Sequence, residues 1–376
     1  MRMMHCGRCG ARVFFDNTAC ERCGARLGFV PAEMTLIAFD EGWQRLGPAG
    51  PAQKPCCNYD DPVLPVCNWM LPADSGEELC LSCRTTAVIP ALDKPENRLA
   101  WARIEQAKRR LFHGLLSLRL PVPNKQDDAE AGLSFEFLEA LTPTESVLTG
   151  HAQGTITLNI AEADDAQREQ ARTSLGEPYR TLLGHFRHEV GHYYWDRLVR
   201  GSRRWLGEFR QLFGNERADY AQALQRHYAA PAADWSQRHV SAYASSHPWE
   251  DWAECFAHYL HMQDALETAA GWGLSMADAL PAPCSPVAPR PLDLKAPLAP
   301  QLIEQWLPLS QFVNAMDRCL GTRDSYPFVL PTPVVAKLDF IHRLVASQTR
   351  RRRGILARPQ ASPLPLPSAP TQGTSA

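Results

Sequence analysis

A chain of 376 residues exceeds the usual size of one domain, so folded units joined by linkers are expected. With 45% hydrophobic and 21% charged residues the composition is globular, and a formal charge of −2 excludes a global electrostatic pull towards polyanions. The opening MRMMHCGRCGARVFF lacks the apolar core of a signal peptide, and no run of about 18 apolar residues could span a bilayer, so a cytoplasmic protein with no membrane partner is expected.

Most of the 12 cysteines crowd the first quarter of the chain, which in a reducing compartment points to metal ligands rather than disulfides. Cys6-x2-Cys9 and Cys20-x2-Cys23 are two chelating knuckles. Their four thiolates can close a tetrahedral structural zinc site and hold together a segment, 1–30, too small to bury a core. Arg2, Arg8, Arg12, Arg22 and Arg26 make this zinc ribbon locally basic, but base-stacking and groove-reading features are not evident, so nucleic acid is not indicated as a partner. In the second segment, 31–95, Cys80-x2-Cys83 is a further knuckle and Cys67 a third ligand. The fourth is either Cys56 or Cys57, because adjacent thiols rarely both fit one tetrahedron. One or two structural zinc ions are therefore expected.

From PENRLAWARIEQAKRRLFHGLLSL the pattern turns helical, with Leu99, Ile104, Ala107, Leu111, Leu115 and Leu118 at three- and four-residue spacing, and the main domain, 96–348, begins. In GTITLNIAEAD, Ile156, Leu158 and Ile160 alternate with Thr155, Thr157 and Asn159, the pattern of a strand. Next comes a helix predicted over 177–199, opened by Pro178 and closed by Arg197, Arg200 and Gly201. Leu182, Phe186, Val190 and Tyr193 share one arc of it. His188 and His192, the ends of an H-E-x-x-H motif, share the other, so both imidazoles can point at one ion, with Glu189 one step round to act on an attacking water. His185 fits a merely polar face as easily as the site.

The motif is short, and a catalytic zinc needs a third protein ligand. In SAYASSHPWEDWAECFAHYLH, Trp249, Ala253, Phe256 and Leu260 form an apolar stripe opposite Glu250, Glu254, His258 and His261, and His247-Pro248 helps fix the start of the helix. Two carboxylates one turn apart on so aromatic a helix need a cation or donors. Glu250 is the assigned ligand and Glu254 the carboxylate that orients a ligand histidine, with Glu254 or His258 as alternative ligands. Tyr243 could donate its phenol to a developing oxyanion, or be an ordinary core tyrosine. Cys255 reads as packing. A Pro-rich loop at 281–300, two further helical stretches and a basic, then Pro/Ser-rich, disordered tail at 349–376 complete the chain.

GHFRHEVGHYYWDRL, LFGNERADYAQAL and SAYASSHPWEDWAECFAHYLH resemble a bacterial family described as zinc-binding metallopeptidases with an N-terminal zinc ribbon, and the likeness extends through most of the chain apart from the tail. Tyr243, Glu250 and Glu254 are spaced like the Tyr, Glu and second Glu of lethal-factor-type gluzincins. The resemblance implies Glu250 as third zinc ligand. It also implies Cys56, in a Cys-x-Asn pattern, over Cys57, and a strand whose edge receives an extended peptide, a role open to GTITLNIAEAD.

The expected fold is α+β: a mainly helical zincin-like (minigluzincin) catalytic domain with a small sheet, a zinc-ribbon head before it and the tail after it. The expected function is hydrolysis of peptide bonds in a protein or peptide substrate, with one catalytic zinc on His188, His192 and Glu250, and Glu189 as general base. The head would recruit substrate or a partner, or gate access. The competing class is a non-catalytic regulatory or adaptor protein acting through its ribbon. Oligomeric state is not encoded in any pattern found.

Overall fold

The computed structural model describes residues 3–59, 65–140, 147, 149–175, 181–276 and 286–356. Its N-terminal part is made of hairpins, none large enough to enclose a core alone. β1 (Met4–His5) pairs antiparallel with β2 (Arg12–Val13), and β3 (Arg26–Val30), β4 (Thr35–Phe39) and β5 (Arg45–Leu46) form an antiparallel meander. β6 (Gln53–Pro55) pairs with β7 (Met70–Pro72).

β8 (Thr86–Val88) follows Cys83 after one short turn and leaves the head. After α1 (Pro95–Ser117) it becomes an outer strand of a four-stranded sheet with β9 (Ser134–Leu138), β10 (Gly150–Ala152) and β11 (Thr155–Asn159), in the order β10-β11-β9-β8. Strands β8, β9 and β11 are parallel and β10 is antiparallel. Alternation works as the sequence predicts, for Ile156 and Leu158 join Phe135 and Phe137 in the core, all 0% exposed. Ile160, expected in the strand, already starts a 3-10 turn. The expected role of β11 as a free edge is corrected: Gln153 and Gly154 take the left-handed conformations of a two-residue hairpin turn (φ 49° and 83°), so β10 folds back and takes that position.

Helices α2 (Asp165–Leu175), α3 (Leu182–Tyr194), α4 (Arg203–Leu212), α5 (Tyr220–Ala229), α6 (Pro248–Gly271), α7 (Leu298–Gln301), α8 (Leu307–Cys319) and α9 (Thr332–Leu356) follow. The H-E-x-x-H helix was expected from 177, but 176–180 lie outside the described residues and α3 starts at Leu182. Thr181 is extended there, and its side chain accepts from the Gly184 amide at 2.9 Å. The helix runs on through a π-helical turn, Trp195–Arg200, to Gly201. At the C-terminus α9 makes 349–356 helical where a tail was expected, and 357–376 lie outside the described residues. Leu99 is 47% exposed, because the buried face of α1 passes through Trp101, Ile104, Lys108, Leu111, Phe112 and Leu115 instead. Cys255 is buried, as expected of a packing residue, whereas Cys284 and the first part of the Pro-rich loop (281–285) lie outside the described residues.

One hydrophobic cluster runs from Met4, Phe15, Phe29 and Trp69 in the head through Ile104 and Phe112 of α1 to Phe256 of α6 and Leu338 of α9. Arg109 of α1 donates to the Val66 carbonyl, and Arg110 pairs with Asp16. The first Cys segment reaches the C-terminal end of α6, where the Arg12 guanidinium lies 4.5 Å from the Trp272 ring. At about 1.5 Å per residue, Glu250 and Gly271 are roughly 30 Å apart along α6, so the Arg12 contact lies at the end of α6 opposite Glu250.

Helices α3 and α6 run antiparallel: Trp195 packs on Trp249, His188 faces Glu254, and Arg187 pairs with Asp264. Gly191 permits their close approach, since a Cβ there would lie 3.0 Å from Ala253 Cα and 3.3 Å from its carbonyl oxygen. Trp252 Nε1 donates to the Gly191 carbonyl at 2.7 Å, and a buried Asp251–Lys337 pair at 2.6 Å ties α6 to α9. Gly191→Val should therefore push the two helices apart and lower stability by about 1–3 kcal/mol. Urea unfolding of the variant against the native chain measures this, and unchanged stability would mean that the close approach is not required.

Candidate metal centre

One helical turn separates His188 from His192, which places their Nε2 atoms 3.2 Å apart on α3. The facing element is the first turn of α6. There the His247 ring accepts from the Trp249 amide at 3.2 Å as the cap, and Pro248, which has no amide hydrogen to satisfy, occupies the first helical position. Glu250 follows, 1% exposed, with Oε2 3.0 Å from His188 Nε2 and 3.6 Å from His192 Nε2. Ligands about 2.0–2.1 Å from a tetrahedral zinc are about 3.3 Å from one another, so the three donor atoms have the separations such an ion needs.

The electrostatics agree with the geometry. Burial alone would raise the pKa of Glu250, but the adjacent His192 and His188 hold it well below the usual carboxylate range. Burial would likewise lower that of His188, but Glu250 and Glu254 raise it well above the usual imidazole value. His188 Nδ1 donates to Glu254 Oε1 at 2.9 Å, and Ser241 Oγ donates to the other oxygen at 2.7 Å. Glu254 thus aims the opposite ring nitrogen at His192 and Glu250, and is not itself one of the three clustered donors.

Tyr243 lies in a 3-10 turn, Tyr243–Ser245, its ring centroid 6.0 Å from that of His188. Burial first, then the charge of Glu250, pushes its phenol well up, so it stays a protonated donor. Glu189 is 9% exposed, and its charge contributes to the raised values of both Tyr220 and Tyr243, so it borders the same space. His258, an alternative ligand in the sequence, lies one turn beyond Glu254 and bonds the Tyr326 hydroxyl at 2.7 Å, outside the group. His185 pairs with Glu162. On the edge strand β10, His151 neighbours His192 and is held down to about 4 by burial and by that histidine.

Two contributors have no sequence signal. Tyr220 donates to Glu250 Oε1 at 2.8 Å across 30 residues of chain, and Ser241 reaches Glu254 across 13. Neither pairing is visible in a periodicity or a motif, although Asp219, the side-chain cap of α5, does mark where Tyr220 begins its helix.

The cysteines form two further groups, Cys6–Cys9–Cys20–Cys23 and Cys56–Cys67–Cys80–Cys83. The sulfurs of Cys6 and Cys23, Cys9 and Cys20, and Cys67 and Cys80 are each 3.7 Å apart. Thiolates about 2.3 Å from a tetrahedral zinc are about 3.8 Å from one another, whereas a disulfide would bring them to about 2.05 Å. Cys56 is buried within the second group while Cys57 is exposed. A fourth cluster, His113, Asp264 and Glu267, already carries the Arg187 guanidinium on Asp264 and reads as a buried ion-pair network. Cys57→Ser should leave metal content unchanged whereas Cys56→Ser should lower it by one ion per chain, as read by elemental analysis; the reverse outcome would move the ligand to Cys57.

Residues 97–344 match the family described as "Putative zinc-binding metallo-peptidase", and residues 3–94 match a zinc-ribbon domain. Over 347 residues, 92% of this chain and 95% of theirs, the chain is 45% identical to proteins described as uncharacterized from Mycobacterium bovis and from two strains of Mycobacterium tuberculosis. No solved structure matches it. Taken with the histidine–carboxylate and thiolate groups, these matches place the chain in the zinc-binding metallo-peptidase family, with a zinc-ribbon domain at its N-terminus.

Proposed function

We propose that the chain is a gluzincin-type zinc peptidase in which His188, His192 and Glu250 hold the catalytic ion and Glu189 is the general base. The observation that carries this reading is the set of three donor atoms separated by 3.0, 3.2 and 3.6 Å, beside a glutamate on the same helix. When bound, zinc supplies Lewis acidity towards a carbonyl and lowers the pKa of water into the neutral range.

The rest of the chemistry falls to side chains. The Glu189 carboxylate takes a proton from the attacking water and passes it to the departing amine. Tyr243 donates its phenol to the oxyanion that develops as the carbonyl carbon becomes tetrahedral. Glu254, itself held by Ser241, keeps His188 in the tautomer whose Nε2 is the metal ligand. The edge strand β10, Gly150–Ala152, offers backbone groups to an extended peptide substrate, with His151 beside His192. The two thiolate groups hold structural zinc, giving three ions per chain in all. Among the described residues no helix is long and apolar enough to cross a membrane, and eight clustered thiols suit a reducing cytoplasm.

The adaptor alternative, acting through the ribbon alone, gives no use to a carboxylate base and a phenol around a third ligand group. Glu189→Gln separates the two. It should retain all zinc while peptide-library cleavage falls by about 10²-fold or more. Cleavage equal to that of the native chain would remove Glu189 from its assigned role.

A further inference from the structure

The two oxygens of Glu250 have different neighbours. Oε2 faces the two imidazole Nε2 atoms at 3.0 and 3.6 Å, whereas Oε1 accepts the Tyr220 hydroxyl at 2.8 Å. Tyr220 is the first residue of α5, a helix with Ala223 as its buried residue and Tyr228 58% exposed on its outer side. The Tyr220 ring is nevertheless well seated. Its centroid lies 5.2 Å from that of His247 and 6.3 Å from that of Trp249, the cap and second residue of α6, and His247 Nε2 bonds the Ala218 carbonyl at 3.2 Å. The phenol is thus held by the same few residues that place Glu250, and its direction is fixed by packing as well as by the hydrogen bond.

A carboxylate with both oxygens open can bind a metal through one or through both, and chelation by both would take a position that a hydrolytic site needs for water and the substrate carbonyl. We propose that Tyr220 is a positioning residue that reserves Oε1, so that Glu250 offers the metal Oε2 alone and one coordination position stays open. In this role the hydroxyl acts through Glu250. This rests on the reading of His188, His192 and Glu250 as metal ligands.

The test is Tyr220→Phe in the full chain, with Glu250→Gln as control. Tyr220 is 38% exposed and the ring is retained, so the metal-free variant should unfold at the native temperature. Mild chelation first removes the histidine-bound ion and leaves the thiolate-bound zinc; the vacant site is then titrated with zinc against a competing chelator, or filled with Co²⁺ for visible spectroscopy. The expected result for Tyr220→Phe is a zinc affinity about 10–100-fold lower. The cobalt d–d bands should also weaken, as a second carboxylate oxygen raises the coordination number from four to five. Equal affinity with an identical cobalt spectrum would overturn the role of Tyr220. A native chain with no chelatable ion that Glu250→Gln abolishes would instead overturn the metal site itself, so the two failures are distinguishable.

Discussion

The burial of the Glu250 carboxylate between two imidazoles, 1% exposed on α6 and facing α3, is the constraint on which the rest of the molecule turns. An ionised carboxylate taken out of water costs several kcal/mol unless charge and donors surround it. Here His188 and His192 supply one side and the Tyr220 hydroxyl the other. The antiparallel seam that creates this meeting exists because Gly191 has no side chain to hold Ala253 away, and because Trp252 bonds back to the Gly191 carbonyl. The conformations that fold the core are thus the ones that assemble the donor set.

The cysteine-rich head is a structural extension of this core. Phe15, Phe29 and Trp69 share one cluster with the helices, and β8, which follows Cys83, is a strand of the sheet beside α3. At that junction Thr86 donates to the buried carboxylate of Glu105, which also pairs with Lys108. Hairpins of two to five residues bury little surface by themselves, and metal ions held by the two thiolate groups would add cross-links to the contacts made with the helices.

Much of this was legible in the sequence because it follows local periodicity. The four-residue spacing of His188 and His192, the Cys-x2-Cys knuckles, the alternating strand from Thr155 and the His247-Pro248 helix start all depend on short-range geometry, and all take the expected form except at Ile160, where the strand has already ended. Position in the tertiary structure was less legible. A two-residue turn at Gln153-Gly154 moved the sheet edge from β11 to β10, and a single side-chain cap at Thr181 set the described start of α3. Leu99 kept the helical period but sits on the solvent face, because Trp101 and Phe112 decide which face packs. The contacts of Tyr220 and Ser241 with the two glutamates are products of folding, and no spacing rule encodes them.

Anomalous diffraction at the zinc absorption edge from crystals of the full chain would test the metal centre most directly. Three peaks are expected, two inside the thiolate groups and one about 2.0–2.2 Å from His188 Nε2, His192 Nε2 and one oxygen of Glu250. A fully zinc-loaded crystal with no peak between α3 and α6, or with one held by Glu254 in place of Glu250, would contradict it.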